Sequence, residues 1–265
     1  SMAEIRSYPA CAFVRFFENH GLLKLSMAAR PKWRTVEGGS RAYVEKLTAP
    51  YADRVRPGAV SVKRDASGVW VRDASGETRR YDHVVIGAHG DEALAMLADP
   101  NARERELLGA FRYAKNKAVL HTDSALMPRR KRLWASWNYV GDHPDGGCVV
   151  SYWMNKLQGF ASPTPIFLTL NPRTMPREGS VLYETEYDHP LFDRAAIDAQ
   201  RALWSLQGVR NTWFCGAHFG AGFHEDGLQS GLAVAEQLGG VRRPWIVPNE
   251  SGRIHVARPV EELAA

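Results

Sequence analysis

The stretch that decides the fold is TWFCGAHFGAGFHEDGLQSGLAVAEQLGG, residues 212–240. Its first residues are aromatic or β-branched, which favours a short strand. A loop follows that holds four glycines, at Gly216, Gly220, Gly222 and Gly227. Asp226 can cap a helix, and apolar residues then recur at helical spacing until Gly239 and Gly240 end the pattern. The stretch therefore predicts a strand, a glycine-rich loop and a long helix.

A unit of this kind can hold a cofactor. Glycines let the backbone approach a ligand closely, and a helix N-terminus offers free N–H groups with a partial positive charge. In α/β sheets, ligands bind in the crevice beyond the strand ends. The alternative is a plain glycine-rich turn, and the residue pattern alone leaves both interpretations open.

Upstream of this stretch, the sequence predicts a small antiparallel sheet. Valines alternate with other residues at 60–62 and again at 69–71, as in half-buried strands. The pentapeptide Arg-Asp-Ala-Ser-Gly occurs twice, at 64–68 and 72–76, and predicts two turns. We therefore expect a three-stranded meander. The run YDHVVIGA at 81–88 is apolar on both faces, which predicts a buried parallel strand.

Helices are predicted on both sides of the meander. Ser40 can cap one helix, and another should run from about Asp91 to Leu97. Residues 4–24 predict a further helix that Gly21 breaks. Eight side chains of the two N-terminal helices are expected to be buried: Phe13, Phe16, Phe17, Leu22, Leu23, Tyr43, Val44 and Leu47.

The middle of the chain predicts a second sheet. Its strand-like, aromatic runs lie at 133–140, 148–155, 166–171 and 181–187, with a loop at 142–147, and together they predict a largely antiparallel sheet. A helix that begins at the cap Asp193 and stops at Gly208 closes this block. The fold class is therefore mixed α/β, and the tail after Pro244 is expected to be loosely attached.

Composition excludes several classes of protein. The 265 residues are 45% hydrophobic and 24% charged, as in a folded domain and unlike a disordered or repetitive chain. No apolar run is long enough to span a bilayer. Cys11, Cys148 and Cys215 share no short spacing, which excludes a disulfide framework or zinc module and favours the cytoplasm.

The charge pattern is mildly basic, with a net charge of +5 and one dense run, Arg129–Arg132. A solvated loop is the simplest interpretation of this run, and contact with a membrane surface or nucleic acid is the alternative. No zinc-finger, helix-turn-helix or RNA-binding motif occurs, so we expect no nucleic-acid partner.

Other catalytic motifs fail on their spacing. The run His224–Leu228 begins like a metalloprotease helix, but Leu228 stands where the second histidine ligand is required. His218 could join His224, Glu225 and Asp226 around a metal, although we expect no metal site. The serine of Gly227–Gly231 is misplaced for a nucleophile elbow. No phosphate-binding Walker sequence or dinucleotide-binding glycine turn occurs.

Several motifs together resemble a known family, the flavin-containing amine oxidases. The matching segments are WRTVEGGSRAYV at 33–44, the meander with residues 82–87, WFCGA at 213–217 and GFHEDGLQSG at 222–231. Four more segments resemble a bacterial branch of predicted NAD/FAD-binding proteins: NKAVLHTD at 116–123, SWNY at 136–139, YWMN at 152–155 and TLNP at 169–172.

The resemblance implies a division into domains. Family members begin with a strand and a Gly-x-Gly-x-x-Gly turn, which this sequence lacks, so we expect the C-terminal fragment of such a protein. Residues 1–30 would be a helical segment, and 31–98 with 209–240 the remainder of a Rossmann-like FAD-binding domain. Residues 99–208 would form an antiparallel-sheet substrate domain, and 241–265 a tail.

The resemblance also assigns residues to the cofactor FAD. The residues that match cofactor-binding positions are Val60, Gly216, Ala217, His218, Asp226, Gly227, Leu228 and Gln229. The backbone of Val60 would meet the adenine, and Gly216 and Ala217 would pass the ribityl–pyrophosphate portion. Gly227, Leu228 and Gln229 would lie under the pyrimidine side of the flavin. For Asp226, we expect capping of the helix more than direct support of the loop.

Two residues are candidates for the catalytic side. His224 matches an aromatic position over the flavin face, and Lys117 falls near a lysine that holds a water at flavin N5 in several amine oxidases. The alternative for His224 is a simple packing role. The alternative for Lys117 is an exposed position on a strand. The aromatic residues of the middle sheet could line an apolar substrate cavity.

The implied function is that of an FAD-dependent oxidoreductase that takes a small molecule as substrate and passes a hydride equivalent to the flavin, with an apolar substrate as one option. The fragment alone is expected to be inactive without the N-terminal half, and an open sheet edge would favour self-association. The alternatives are a non-catalytic ligand- or partner-binding module and a flavin-dependent desaturase that acts on a lipid-like substrate at a membrane surface.

Overall fold

The computed structural model describes residues 8–26, 28, 31–32, 34–56, 58–140, 149–247 and 250–256. They form two compact units. The smaller unit contains Tyr113–His189, and the larger unit contains Pro9–Arg112 with the described residues from Pro190 onward. The mixed α/β class is confirmed. The division into four segments stays a prediction.

The helices and strands follow the chain in this order. The helices are α1 Ala10–Asn19, α2 Ser40–Thr48, α3 Gly90–Met96, α4 Ala102–Leu108, α5 Met154–Gln158, α6 Arg194–Ala202 and α7 His224–Gly239. The strands are β1 Ala59–Asp65, β2 Gly68–Asp73, β3 Thr78–Tyr81, β4 Val84–Ile86, β5 Arg112–His121, β6 Trp137–Val140, β7 Val149–Trp153, β8 Phe167–Leu170, β9 Val181–Leu191 and β10 Thr212–Phe214.

The predicted meander is confirmed. Strands β1, β2 and β3 form an antiparallel sheet in that order. Both turns use the same chemistry, because an aspartate accepts from the amide two residues on. Asp65 Oδ1 lies 2.8 Å from Ser67 N, and Asp73 Oδ1 lies 2.9 Å from Ser75 N. These local bonds explain why the repeated pentapeptide predicts the turns correctly.

The second sheet of the larger unit is a parallel pair, β4 with β10, in which Ile86 lies opposite Phe214. Both of these side chains are buried, and α3 follows β4 as predicted. Burial of β4 on both faces is wrong, however, because Val85 is 44% exposed. In the described part of the chain, β4 pairs with β10 alone. Its other edge and the face that carries Val85 therefore lack the cover that a larger parallel sheet would give them.

A buried ion pair joins the meander to α4. Arg64, on β1, donates to Glu104 on α4 through Nη1 at 2.6 Å and Nη2 at 2.9 Å, and its Nε lies 3.0 Å from Asp99 Oδ1. The side chains of Arg64 and Glu104 are each 1% exposed. Glu104 also accepts from the amide of Asn101, which caps the helix.

The smaller unit is built on a five-stranded sheet in the order β6-β7-β8-β5-β9. Four of its strands match the predicted runs, and β5 is the strand that the aromatic pattern missed. Its interior contains a hydrogen-bonded polar chain: His121 Nε2 and Ser151 Oγ each lie 2.8 Å from Thr169 Oγ1. The amide of Asp123 donates to His121 Nδ1, so His121 carries its proton on Nε2.

Other helix predictions had mixed outcomes. Asp193 caps α6 through the amide of Ala196 at 3.0 Å, and Gly208 stops the following turn with a φ of 75°, both as predicted. The expected burial of the N-terminal helices is wrong, because Phe13 is 54% and Leu47 is 65% exposed. Their apolar spacing predicts helices correctly, but the described residues do not cover these faces. Residue 33, the loop 142–147 and Cys148 lie outside the described residues.

Removing the carboxylate of Glu104 should destabilise the larger unit strongly. Glu104→Gln keeps the shape but leaves Arg64 short of a buried counter-charge, so we expect a loss of about 3–5 kcal/mol. Glu106→Gln on the same helix is the matched control, since Glu106 pairs with Arg103 at an exposed site and should cost less than about 0.5 kcal/mol. Urea unfolding measures both, and equal losses would contradict the account.

Candidate functional site

The candidate site is the loop that joins β10 to α7. Gly216 lies at its start with a φ of 146°, and a side chain there would meet the ring of His218 at 2.8 Å. Its amide donates to Ser230 Oγ at 2.9 Å, and that hydroxyl lies 2.9 Å from the carbonyl oxygen of Gly227. Ser230 therefore ties the strand end to the helix. This role of Ser230 is not predicted from the sequence, although a serine in the second turn of a helix after a glycine loop is a usable signal.

Asp226 organises the start of α7. Its side chain is fully buried, and its Oδ2 accepts from the amide of Phe223 at 2.8 Å. The sequence predicts Asp226 as the cap residue itself, but the helix begins earlier: Phe223 is the N-cap, and Asp226, the third helical residue, reaches back to its amide. A Cβ at Gly220 would lie 2.6 Å from Asp226 Oδ1. The loop can therefore pass over the carboxylate only because residue 220 has no side chain.

The helix start leaves donors for a ligand. The amides of Asp226 and Gly227 both donate to the carbonyl oxygen of Phe223, at 3.0 and 3.2 Å. The amides of His224 and Glu225 precede them and have no acceptor within the helix. A ligand at this end would therefore meet the amides of His224 and Glu225 before those of Gly227, Leu228 and Gln229.

The tail binds to the same turn of helix. Arg253 Nε lies 2.6 Å from Asp226 Oδ1, and its backbone amide donates to Gln229 Oε1 at 3.2 Å. Further along, Arg243 holds Glu236 and lowers the pKa of that carboxyl to about 2. The expectation of a loosely attached tail is wrong for residues 250–256, because Arg253 binds the buried Asp226. A buried carboxylate requires a cation, but composition and periodicity do not reveal which residue supplies it.

His218 is buried in the same loop. Its ring makes an edge-to-face contact with Phe111, with centroids 5.1 Å apart, and its Nε2 has no hydrogen-bond partner among the described residues. Burial, with a smaller contribution from His89, lowers the pKa of His218 to about 4. The side chain is therefore neutral at physiological pH and holds an unused polar atom inside the protein.

The outer side of the helix start is aromatic. The ring of Phe223 contacts Phe16 on α1 and His20 just after α1, with centroids 5.9 Å and 4.9 Å away. His224 is exposed and so is Leu228. Sequence reasoning missed Phe16 and His20 as neighbours of this site, since nothing in their spacing links them to residues 200 positions later.

The structure brings most of the predicted residues together but not all. The residues placed on the loop and first turns are Gly216, Ala217, His218, His224, Asp226, Gly227, Leu228 and Gln229. Val60 lies on β1 of the same unit, at a shift in the strand register, and is half-exposed. Lys117 lies on β5 in the smaller unit, where its Nζ is 2.7 Å from Glu184. The predicted roles of these residues stay predictions.

Two further features are absent from the residues that the structure describes. No group of three or more His, Cys, Asp or Glu side chains is arranged to hold a metal ion. No described helix combines the length and the apolar character needed to cross a bilayer.

Comparison with known proteins finds similarity at the level of fold. No family model and no curated protein matches the chain. A protein from Exiguobacterium sp. 255-15 assigned as a protoporphyrinogen oxidase matches with 12% identity and a TM-score of 0.53, over 86% of this chain and 57% of its own. A putrescine oxidase variant matches with 11% identity and a TM-score of 0.53, over 77% and 53%.

A third solved structure, cyclohexylamine oxidase from Brevibacterium oxydans IH-35A, matches with 16% identity and a TM-score of 0.50, over 76% of this chain and 53% of its own. This chain thus spans little more than half the length of these structures. All three are named as oxidases. At these identities the likeness shows a shared fold alone.

His218 should make the protein less stable in acid. In the folded protein the pKa of His218 is about 4, below the usual 6.5. Between pH 4 and pH 6.5 the histidine is therefore protonated in the unfolded chain but not in the folded chain. The resulting stabilisation is complete above pH 6.5 and is lost as the pH falls to 4, by about 3 kcal/mol.

Urea unfolding of the wild type and of His218→Leu at pH 7 and pH 4 isolates this effect. The variant removes the titrating ring, so the stability difference between the two proteins should change by about 3 kcal/mol across this range. Parallel pH profiles would show that His218 is not the group responsible.

Proposed function

We propose that this chain forms the flavin-ring side of an FAD-dependent, amine oxidase-like oxidoreductase. The observation that carries the proposal is the start of α7, where the amides of His224 and Glu225 have no acceptor in the helix and a glycine loop lies alongside. A planar ring that gains negative charge on reduction is a suitable ligand for such a helix end.

The residues present fit this group. Gly227 has no side chain, and a Cβ there would come no closer than 3.7 Å to another atom, Ala217 N. Asp226 would oppose a developing negative charge, but Arg253 neutralises it. The unpartnered Nε2 of His218 supplies one further polar atom in the same loop. The loop therefore offers donors, and its buried carboxylate is compensated by a cation.

The chemistry that a bound flavin supplies is acceptance of a hydride equivalent at its N5 atom. The first-turn amides of α7 would stabilise negative charge at the pyrimidine side of the ring. His224, which is exposed beside them, would orient the substrate, and Phe223 with Phe16 would exclude water. The role proposed for Lys117, holding a water, rests on the family resemblance alone.

In the proposed enzyme, this chain works together with a second part, the N-terminal half. This chain covers only 53% of the length of each of two matching solved structures, and strand β4 has a free edge in the described residues. We propose that an N-terminal half with the pyrophosphate-binding turn completes this sheet, and that this chain alone is inactive. On this proposal, the larger unit belongs to the FAD-binding domain, the smaller unit binds the substrate, and the enzyme is cytoplasmic.

A second candidate function is a non-catalytic binding module. The observation that favours it is the exposed aromatic surface of β6, where Trp137 and Tyr139 are each more than half exposed. Such a surface could bind a lipid-like substrate or another protein, and the exposed run Arg129–Arg132 could contact an anionic membrane.

Self-association through the β4 edge would also cover exposed surface.

Lumiflavin tests the main proposal, because it contains the ring but not the pyrophosphate that needs the N-terminal half. The chain should quench lumiflavin fluorescence saturably. Gly227→Ala adds a methyl group where the ring would approach and should weaken binding about tenfold or more, equivalent to at least 1.4 kcal/mol.

Gly231→Ala is the matched control on the same helix, since a Cβ there meets nothing within 4 Å. Both substitutions should keep or raise the helix stability, by up to about 1 kcal/mol, so a loss of affinity cannot come from unfolding. Absence of binding by the wild type, or equal affinity of the two variants, would refute the ring-side assignment.

A further inference from the structure

The net positive charge of the protein is concentrated in one stretch of the smaller unit. The whole chain carries +5, from 34 Lys and Arg against 29 Asp and Glu. Residues 124–177 contain seven of these cations and two acids, Asp142 and Asp145, which lie outside the described residues. This stretch therefore carries the same +5 as the entire protein, and the other residues are neutral in sum.

Four adjacent cations of this stretch, Arg129–Arg132, lie on a turn that the structure holds in place. The turn contains a short 3-10 helix, Lys131–Leu133. The indole Nε1 of Trp134 donates to the carbonyl oxygen of Pro128 at 2.8 Å, across the base of the turn. The turn is thus fixed by its own tryptophan, while all four basic side chains are exposed.

A fifth cation, Lys156 on α5, comes to the same surface. The rings of Trp134 and Trp153 contact each other edge to face, with centroids 5.5 Å apart. Lys131 Nζ lies 5.8 Å from the centroid of the Trp134 ring, and Lys156 Nζ lies 5.9 Å from that of Trp153. The contact between the two indoles therefore brings Lys156 to the basic turn. We call Arg129–Arg132 and Lys156 the basic edge.

No acid that the structure describes is paired with the basic edge. None of its five cations forms an ion pair within the described ranges. The described acid that precedes it in sequence, Asp123, is buried and accepts from the amides of Ala125 and Arg177, at 3.0 and 2.9 Å. Arg177 Nε also lies 3.5 Å from Asp123 Oδ1. Asp123 thus has a cation of its own.

The other described acids between Tyr113 and His189 are Glu178 and three residues of β9: Glu184, Glu186 and Asp188. Glu184 and Glu186 pair with lysines of β5, at 2.7 and 3.1 Å. Strand β9 is separated from β7 by β8 and β5, a distance of roughly 14 Å. Exposed charges that far apart are largely screened at physiological salt. The acids of β9 therefore do not cancel the charge of the basic edge.

An exposed apolar side chain lies among these cations. Leu133 is 61% exposed and ends the short helix that carries Lys131 and Arg132. Surfaces for single-stranded nucleic acid use open aromatic faces on which bases stack, but here a lysine lies over each indole ring. Clustered cations with an exposed leucine favour the surface of an anionic bilayer instead.

We infer that the basic edge binds an anionic phospholipid bilayer. The five cations would lie against the phosphate and carboxylate groups of the lipid headgroups, and Leu133 would enter the boundary of the acyl chains. The inference deepens the second candidate function, on whose membrane contact it rests. It is independent of flavin binding, because the candidate flavin loop belongs to the larger unit.

Sedimentation with phosphatidylcholine vesicles that contain phosphatidylserine tests this inference. The wild type should pellet with them, should stay in solution with vesicles of phosphatidylcholine alone, and should be released by salt. Each cation near an anionic surface strengthens binding about fivefold. Removing four of them, with Arg129→Gln, Arg130→Gln, Lys131→Gln and Arg132→Gln, should therefore weaken binding by roughly a hundredfold or more. Leu133→Ser should weaken it by about tenfold, because the apolar contact is lost.

A matched control removes four exposed cations from the larger unit, with Lys32→Gln, Arg34→Gln, Arg54→Gln and Arg56→Gln. It lowers the net charge of the chain by the same amount, so its affinity should stay within about threefold of the wild type if binding depends on the basic edge. All eight substituted side chains are exposed, so both quadruple variants should melt near the temperature of the wild type.

Three vesicle results would overturn the inference: no pelleting of the wild type with anionic vesicles, equal pelleting with phosphatidylcholine alone, or equal affinity of the two quadruple variants. A single-stranded oligonucleotide that competes with the vesicles and binds the Leu133→Ser variant like the wild type would assign the basic edge to nucleic acid and also overturn it. Lumiflavin binding should be the same in all these variants, so failure here is distinguishable from failure of the flavin assignment.

Discussion

A buried carboxylate determines the arrangement of the candidate site. Asp226 is fully buried, and a charge in that position is tolerated only when it is paired and hydrogen-bonded. The amide of Phe223 and the guanidinium of Arg253 meet that requirement. The same requirement explains why Gly220 has no side chain, why the loop returns over the helix start, and why residues 250–256 bind to α7.

Both units bury charged as well as neutral polar groups. The larger unit buries ion pairs, in Arg64 with Glu104 and in Asp226 with Arg253. The smaller unit buries the carboxylate of Asp123 together with the neutral chain of His121, Thr169 and Ser151. A buried ion pair is strongly destabilising when one partner is lost, whereas a neutral network mainly constrains geometry. The candidate flavin loop packs on such an ion pair, that of Asp226 with Arg253.

Local patterns explain which parts could be predicted from sequence. The Asp-Ala-Ser-Gly turns, the cap at Asp193 and the strand–loop–helix of residues 212–240 depend on neighbours within a few positions. Burial of Phe13, Leu47 and Val85 could not be predicted correctly, because apolar spacing indicates a face but not whether the chain covers it. Contacts such as Arg253 with Asp226 and Phe16 with Phe223 depend on tertiary packing. Within the site, the loop residues follow from their own sequence, while the predicted roles of Lys117 and Val60 rest on resemblance.

The most direct test of the account follows the backbone amides of α7 by ¹⁵N–¹H NMR while lumiflavin is added. If the helix start meets the flavin ring, the amide resonances of His224 and Glu225 should shift most, together with those of Gly216 and Ala217. Resonances in the last turns of α7 should stay in place. Saturation of lumiflavin binding with no change at His224 and Glu225 would contradict the account.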